Sequence, residues 1–152
     1  MSQKKNYVFI GATLILLLTA FSYRKHFTQE LDPWLPEQLM APEVLAKQIQ
    51  NPTKEKSYIF NIGPAGSIKS SVTVGDAKEH ANLEKLRQEL SKVPKNAEVV
   101  IYCGCCPFVH CPNIRPAFKL LKELNFTKPK LLNLEKNLKV NWIDPGYPMA
   151  QP

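Results

Sequence analysis

Apolar and polar positions alternate along the first half of the folded region in a way that predicts one helix and two strands. Pro42 suits the first turn of a helix whose apolar residues recur at helical spacing to Ile49, and Asn51-Pro52 ends it. The run 57–62, SYIFNI, is apolar and aromatic and stops at a Gly-Pro pair, which predicts a strand. Residues 72–74, VTV, predict a second, weaker strand.

The second half contains the strongest strand signal. Leucines recur at i, i+3 and i+7 across 83–90, which predicts a helix with one apolar face. Residues 98–102, EVVIY, form an unbroken apolar centre typical of a buried parallel strand. A helix over 115–124 and a strand over 130–134 complete the pattern. The alternation predicts a single α/β domain with a mostly parallel sheet flanked by helices, in which functional residues gather at the carboxyl ends of strands.

The N-terminal segment has a different pattern. Tyr7–Phe21 contains no charged residue, with lysines before it and Arg24-Lys25 after it. Such a run predicts a hydrophobic helix, either a membrane anchor or a signal peptide cut near Ala20-Phe21-Ser22. We therefore expect a signal or anchor over 1–26, a linker over 27–37 and the folded domain over 38–149.

Charge and composition narrow the function classes. The 152-residue chain carries a net charge of +7, with 44% hydrophobic and 22% charged residues, which is ordinary globular usage. Four of its basic residues and no acidic residue lie in 1–26, so the excess is explained by a membrane segment and we expect no nucleic-acid partner. The domain is expected outside the cytoplasm, on the periplasmic side in a Gram-negative bacterium, with the membrane contacted through the N-terminal segment.

All four cysteines lie in one short loop, 103–111, CGCCPFVHC, between the best strand and a helix. Packing alone rarely places four cysteines in nine positions. One interpretation is nucleophilic catalysis. Cys103 ends the strand, where loop amides and the next helix N-terminus, capped by Asn113, would lower its pKa. Arg115 adds a fixed positive charge that would bind an anionic donor.

Two other interpretations stay open. Cys103-Gly-Cys105-Cys106 contains the C-x-x-C spacing of dithiol redox motifs. A metal site is the other, because Cys103, Cys105, Cys106, His110 and Cys111 supply enough ligands for zinc or copper(I). No cofactor is firmly implied by the sequence.

The order of segments resembles a rhodanese domain across about residues 38–149. Met40–Ala46 is similar to the opening helix of that family, and 57–63 to its first core strand. Gly66–Val72 resembles the G-H-I-x-G-A-x segment, and 98–103 resembles the strand that delivers the catalytic cysteine. A Trp followed by Gly146-Tyr147-Pro148 resembles the closing segment. The loop itself looks like that of a bacterial rhodanese-like subgroup with a C-C-P…C-P-N-x-R-P-A pattern.

The resemblance implies sulfurtransfer through a persulfide on Cys103, with a small sulfur-containing anion as donor and a thiol as acceptor. Cys105, Cys106 or Cys111 would then serve as a secondary, resolving thiol. Asn61 stands near the usual Asp of the family, and the loop is longer than usual. The alternatives are a zinc- or copper-binding or dithiol-redox module on the same scaffold, and an inactive rhodanese domain that binds a partner.

Overall fold

A computed structural model describes residues 32–51 and 56–151, which belong to one compact α/β unit that begins at Asp32. In chain order its elements are the 3₁₀ helix Pro36–Gln38, β1 (Leu39–Met40), α1 (Pro42–Gln50), β2 (Tyr58–Asn61), β3 (Ser71–Thr73), α2 (His80–Leu90), β4 (Glu98–Tyr102), the 3₁₀ helix Phe108–His110, α3 (Ile114–Glu123), β5 (Lys128–Leu132) and the π-helix Lys139–Ile143.

The five strands form one sheet in the order β1-β5-β4-β2-β3, and every pairing is parallel. The predicted mostly parallel sheet is therefore confirmed. β4 lies in the middle, with Val100 opposite Ile59 of β2 and Lys130 of β5. Its last four residues are buried, as the unbroken apolar run predicted.

Helices cover both faces of the sheet, and each face has its own hydrophobic core. Leu86 of α2 and Phe118 of α3 pack on one side with Phe60 and Ile101. On the other side, Leu45 and Ala46 of α1 pack with residues of the segment after β5, among them Leu138 and Trp142. Because side chains alternate along β4, this one strand supplies both cores.

Several boundaries differ from the sequence predictions. The last strand is Lys128–Leu132, two residues earlier than predicted. Pro129 is accepted there because β1 pairs only with Leu131 and Leu132, which leaves Pro129 with one strand neighbour, β4. The short β1 had no sequence signal. α2 begins at His80, three residues before the predicted leucine pattern. In the turn before it, the Asp76 backbone carbonyl accepts hydrogen bonds from the Glu79 N–H and the Asn82 side chain.

The predicted N-terminal hydrophobic helix and residues 27–31 of the predicted linker lie outside the described residues. Within 32–51 and 56–151, no helix is long and apolar enough to cross a membrane. Trp34, in the last part of the predicted linker, is 8% exposed and packs against the rings of Phe108 and Phe118. The end of that linker is therefore part of the folded unit.

Candidate functional site

Cys103 follows the last residue of β4 and lies at the carboxyl end of the central strands. The Ile62 N–H donates to the Tyr102 carbonyl at 2.9 Å, which extends the pairing of β2 and β4 up to this point. Cys103 is 1% exposed and Gly63, which follows β2, is also buried. Two neighbouring strand ends thus meet at the cysteine, as expected for a parallel sheet.

Gly63 gives the sulfur of Cys103 its space. A Cβ added at residue 63 would lie 2.2 Å from Cys103 Sγ and 3.1 Å from the Cys103 carbonyl oxygen. Asn61 fixes the turn that carries this glycine, since its Oδ1 accepts from the Gly63 N–H at 3.1 Å and its Nδ2 donates to the Ala65 carbonyl at 2.7 Å. Buried Asn61 therefore has a positioning role beside the site.

Gly63→Ala is expected to disable Cys103 while the fold persists. The new methyl group must displace the sulfur, and misplacement of a reacting atom by about 1 Å costs about 100-fold in rate. Gly66→Ala is the matched control, because its Cβ would meet the flexible end of Met149 at 3.2 Å and Leu138 at an ordinary contact distance of 3.8 Å. The measurement is reaction of Cys103 with thiosulfate, alongside thermal unfolding. Equal rates in the two variants would contradict the assigned role of Gly63.

Three of the four cysteines converge on one point. The Sγ atoms of Cys103, Cys105 and Cys111 all lie within 4.8 Å of one another. Cys103 Sγ and Cys105 Sγ are 3.3 Å apart, and Cys105 Sγ and Cys106 Sγ are 3.4 Å apart. None of the four forms a disulfide, and Cys103 and Cys111 are buried while Cys105 is exposed. The loop therefore gathers thiols around the strand end.

Hydrogen bonds hold Cys103 as a thiolate. The Cys111 thiol, Asn113 Nδ2 at 3.3 Å, and the backbone N–H and thiol of Cys105 all donate to it. The hydrogen bond from Cys111 has the largest effect. Together the four bonds outweigh burial, which raises the pKa, and lower the pKa of Cys103 to about 5. Burial and the neighbouring sulfurs raise the pKa of Cys105 to about 12, and the hydrogen bond to Cys103 raises that of Cys111. One thiolate and two protonated thiols result at neutral pH.

Asn113 has a different role from the one predicted. It stands at the N-cap position of α3, but its side chain makes no cap hydrogen bond. Its Oδ1 instead accepts from the Lys78 N–H at 3.0 Å, and its Nδ2 points at Cys103. The amide thus joins the turn before α2 to the sulfur and fixes which atom faces the thiolate. We expected several loop amides to stabilise the Cys103 thiolate. The hydrogen bonds that lower its pKa come instead from one backbone amide, that of Cys105, and from three side chains.

The rate of Cys103 alkylation should follow its thiolate fraction. Because the pKa of Cys103 is lowered to about 5, the rate should be constant at neutral pH and fall as the pH drops through about 5. Asn113→Ala removes one donor and should move the midpoint upward, and Asn113→Asp should move it further because a carboxylate repels the thiolate. Asn96→Ala, at an exposed asparagine, is the control. A midpoint unchanged in both Asn113 variants would exclude this hydrogen bond as a cause.

Arg115 contacts residues other than Cys103. Its Nη2 donates to Asp32 Oδ1 and to the Val109 carbonyl at 3.1 Å, and its guanidinium lies 5.4 Å from the centre of the Trp34 ring. These contacts tie the cysteine loop to the segment before β1 and give Arg115 a bracing role. Its predicted anion-binding role stays a prediction.

The remaining loop residues are placed as follows. His110 is exposed in the 3₁₀ helix and lies outside the group of three sulfurs, and Cys106 is half-buried against the core under α2 and α3. Gly104 has φ of +78°, and its carbonyl accepts from the Leu138 N–H at 2.8 Å. A side chain at 104 would strain the backbone and press on Leu138, so the turn between the first two cysteines requires glycine.

Sequence reasoning missed Gly63 and the contact of Asn113 with Cys103. In the sequence, Gly63 marks only the end of a strand and Asn113 only the start of a helix. Neither position indicates a contact with Cys103. Comparison with known proteins found no matching family model, no matching curated protein and no matching solved structure.

Proposed function

We propose that this protein is a rhodanese-like sulfurtransferase in which Cys103 takes sulfane sulfur from a small anion such as thiosulfate. The observation that carries the proposal is the Cys103 sulfur, held as a thiolate at the carboxyl end of β4 by donors from Cys105, Cys111 and Asn113. A thiolate is the reactive form of cysteine, and this one forms at neutral pH without a general base.

The reaction needs one displacement. The Cys103 thiolate attacks the outer sulfur of thiosulfate, a new S–S bond forms, and sulfite leaves with the electrons of the broken bond. The Asn113 amide and the Cys105 backbone N–H donate to Cys103 Sγ and so stabilise the thiolate that attacks. The rhodanese-like motifs before and after the loop, and the position of Cys103 at its strand end, support this chemistry.

Single-turnover mixing of the reduced full-length protein with thiosulfate tests the proposal. We expect sulfite in a stoichiometric burst that requires Cys103. Intact mass under non-reducing, metal-retaining conditions identifies the fate of the thiols. Wild-type protein that releases no sulfite would overturn the assignment.

A soft-metal site is the second candidate, favoured by the group of three sulfurs within 4.8 Å. A tetrahedral zinc ion with Zn–S bonds of about 2.3 Å separates its sulfurs by about 3.8 Å, and copper(I) also prefers thiolates. Cys103, Cys105 and Cys111 fit such a shell, while His110 lies outside it. Stoichiometric zinc or copper in the purified protein, lost to similar degrees in single variants of all three cysteines, would favour this function instead.

We further propose that residues 1–26 place the domain outside the cytoplasm. The uncharged run Tyr7–Phe21 and its basic flanks support the proposal. Fusion of residues 1–30 to a reporter active only outside the cytoplasm should give activity, and membrane fractionation then separates an anchor from a cleaved signal. A reporter active only in the cytoplasm would contradict export.

A further inference from the structure

Cys105 is solvent-exposed, a feature that its hydrogen bond to the Cys103 thiolate does not explain. Its Sγ lies 3.3 Å from Cys103 Sγ, at direct contact, and it is the exposed member of the group of three sulfurs. Cys111 belongs to the same group but is 0% exposed. The loop thus places one accessible thiol directly against a buried one.

We propose that Cys105 resolves the Cys103 persulfide, so that the protein releases hydrosulfide and consumes a protein dithiol as its second substrate. This inference rests on the proposed function, because a persulfide must first form on Cys103. It makes the overall reaction a reductive release of sulfane sulfur rather than its transfer to a thiol acceptor.

Each step balances. In the first, Cys103–S⁻ and thiosulfate give Cys103–S–S⁻ and sulfite. In the second, the Cys105 thiol gives its proton to the outer sulfur of the persulfide, and the Cys105 thiolate attacks the inner sulfur. The Cys105–Cys103 bond forms, the persulfide bond breaks, and the outer sulfur leaves as HS⁻. The protein then holds a Cys103–Cys105 disulfide. In the third, a protein dithiol becomes a disulfide, restores the Cys103 thiolate and the Cys105 thiol, and releases one proton.

The geometry favours attack on the inner sulfur. Cys105 Sγ touches Cys103 Sγ itself, so a Cys103–Cys105 bond forms by a short approach of two atoms already in contact. Displacement at the outer sulfur would need that sulfur in line between the two Sγ atoms. Two S–S distances of about 2 Å or more would then put the Sγ atoms at least about 4 Å apart, whereas they are 3.3 Å apart. Resolution therefore needs less movement of the loop than a sulfur relay.

The difference in exposure between Cys103 and Cys105 determines which sulfur of the disulfide the protein dithiol attacks. In thiol–disulfide exchange the attacking thiolate must reach one sulfur while the other leaves. A folded dithiol protein can reach the exposed Cys105 sulfur, and Cys103 then leaves as a thiolate that accepts a hydrogen bond from Asn113 Nδ2 at 3.3 Å. The same arrangement would not serve Cys111, because its buried sulfur is out of reach of a protein partner.

The test is a single turnover of reduced, metal-free full-length protein with one equivalent of thiosulfate. Sulfite, sulfide and intact mass are measured together. We expect wild-type protein to release one equivalent of each product and to become lighter by two hydrogen atoms. Cys105→Ser should release sulfite but no sulfide and should become heavier by one sulfur atom. Reduced thioredoxin, used as the dithiol probe, should restore multiple turnovers to wild type only.

The outcomes separate the two proposals. Absence of sulfite from wild type and Cys105→Ser alike would overturn the proposed function. Sulfite release with an equally stable persulfide in both proteins would leave that function intact and overturn resolution by Cys105. Cys106→Ser and Cys111→Ser decide which thiol resolves, because accumulation of persulfide in either variant, with normal sulfide release by Cys105→Ser, would overturn the assignment to Cys105.

Discussion

Cys103→Ser should lower the rate of sulfite release from thiosulfate by about 1,000-fold or more. A serine hydroxyl is protonated at neutral pH and is a far weaker nucleophile than a thiolate. The substitution is close to isosteric, and the site around residue 103 is fixed by Gly63 and Asn113, so the fold should persist. The measurement is sulfite formed in a single turnover, with thermal unfolding as the check on folding.

Cys106→Ser is the comparison for this variant. The Cys106 sulfur contacts Cys105, and the side chain packs against the core, but Cys106 is not among the donors to Cys103. The burst of sulfite should therefore change by less than about threefold. A sulfite burst that survives in Cys103→Ser and disappears in Cys106→Ser would show that Cys103 is not the nucleophile. Equal loss in the Cys103, Cys105 and Cys111 variants, together with loss of bound metal, would favour the metal site.

Trp142→Ala should give the largest loss of stability, about 3–5 kcal/mol, because removal of a large buried aromatic leaves a cavity. The side chain is 0% exposed, its Nε1 donates to the Pro148 carbonyl at 3.1 Å, and the Tyr147 ring lies 5.3 Å away in an edge-to-face arrangement. Trp142 thus fastens the chain after β5 to the sheet face that also carries α1. We expect thermal unfolding to shift down by about 10–20 °C.

Ile143→Ala is the matched control for Trp142→Ala. It lies in the same π-helix but is 45% exposed, so its truncation should change the free energy of unfolding by less than about 0.5 kcal/mol. Neither residue has a predicted part in the chemistry. Unchanged stability of Trp142→Ala together with loss of the sulfite burst would show that this tryptophan acts in the chemistry rather than in packing.

Local sequence patterns were sufficient to predict most helices and strands and the position of Cys103 in the sheet. The apolar run of β4 and the helical spacing in α1, α2 and α3 predicted those elements because hydrophobic periodicity is a property of neighbouring residues. The same run placed Cys103 at the end of a central parallel strand, which is its position in the sheet. The clustering of cysteines over 103–111 likewise identified the loop from the order of residues alone.

Only the tertiary structure decided how the loop works. Gly63 meets Cys103 because β2 and β4 are neighbours in the sheet, although the two residues are far apart in the chain. Among the loop residues, Cys103, Cys105 and Cys111 converge while His110 lies outside their group, and Arg115 braces the loop against Asp32. These contacts join residues distant in sequence or depend on the fold of an irregular loop. Such contacts leave no periodic pattern in the sequence. A strand or a helix does leave one, because its side-chain directions repeat every two or 3.6 residues.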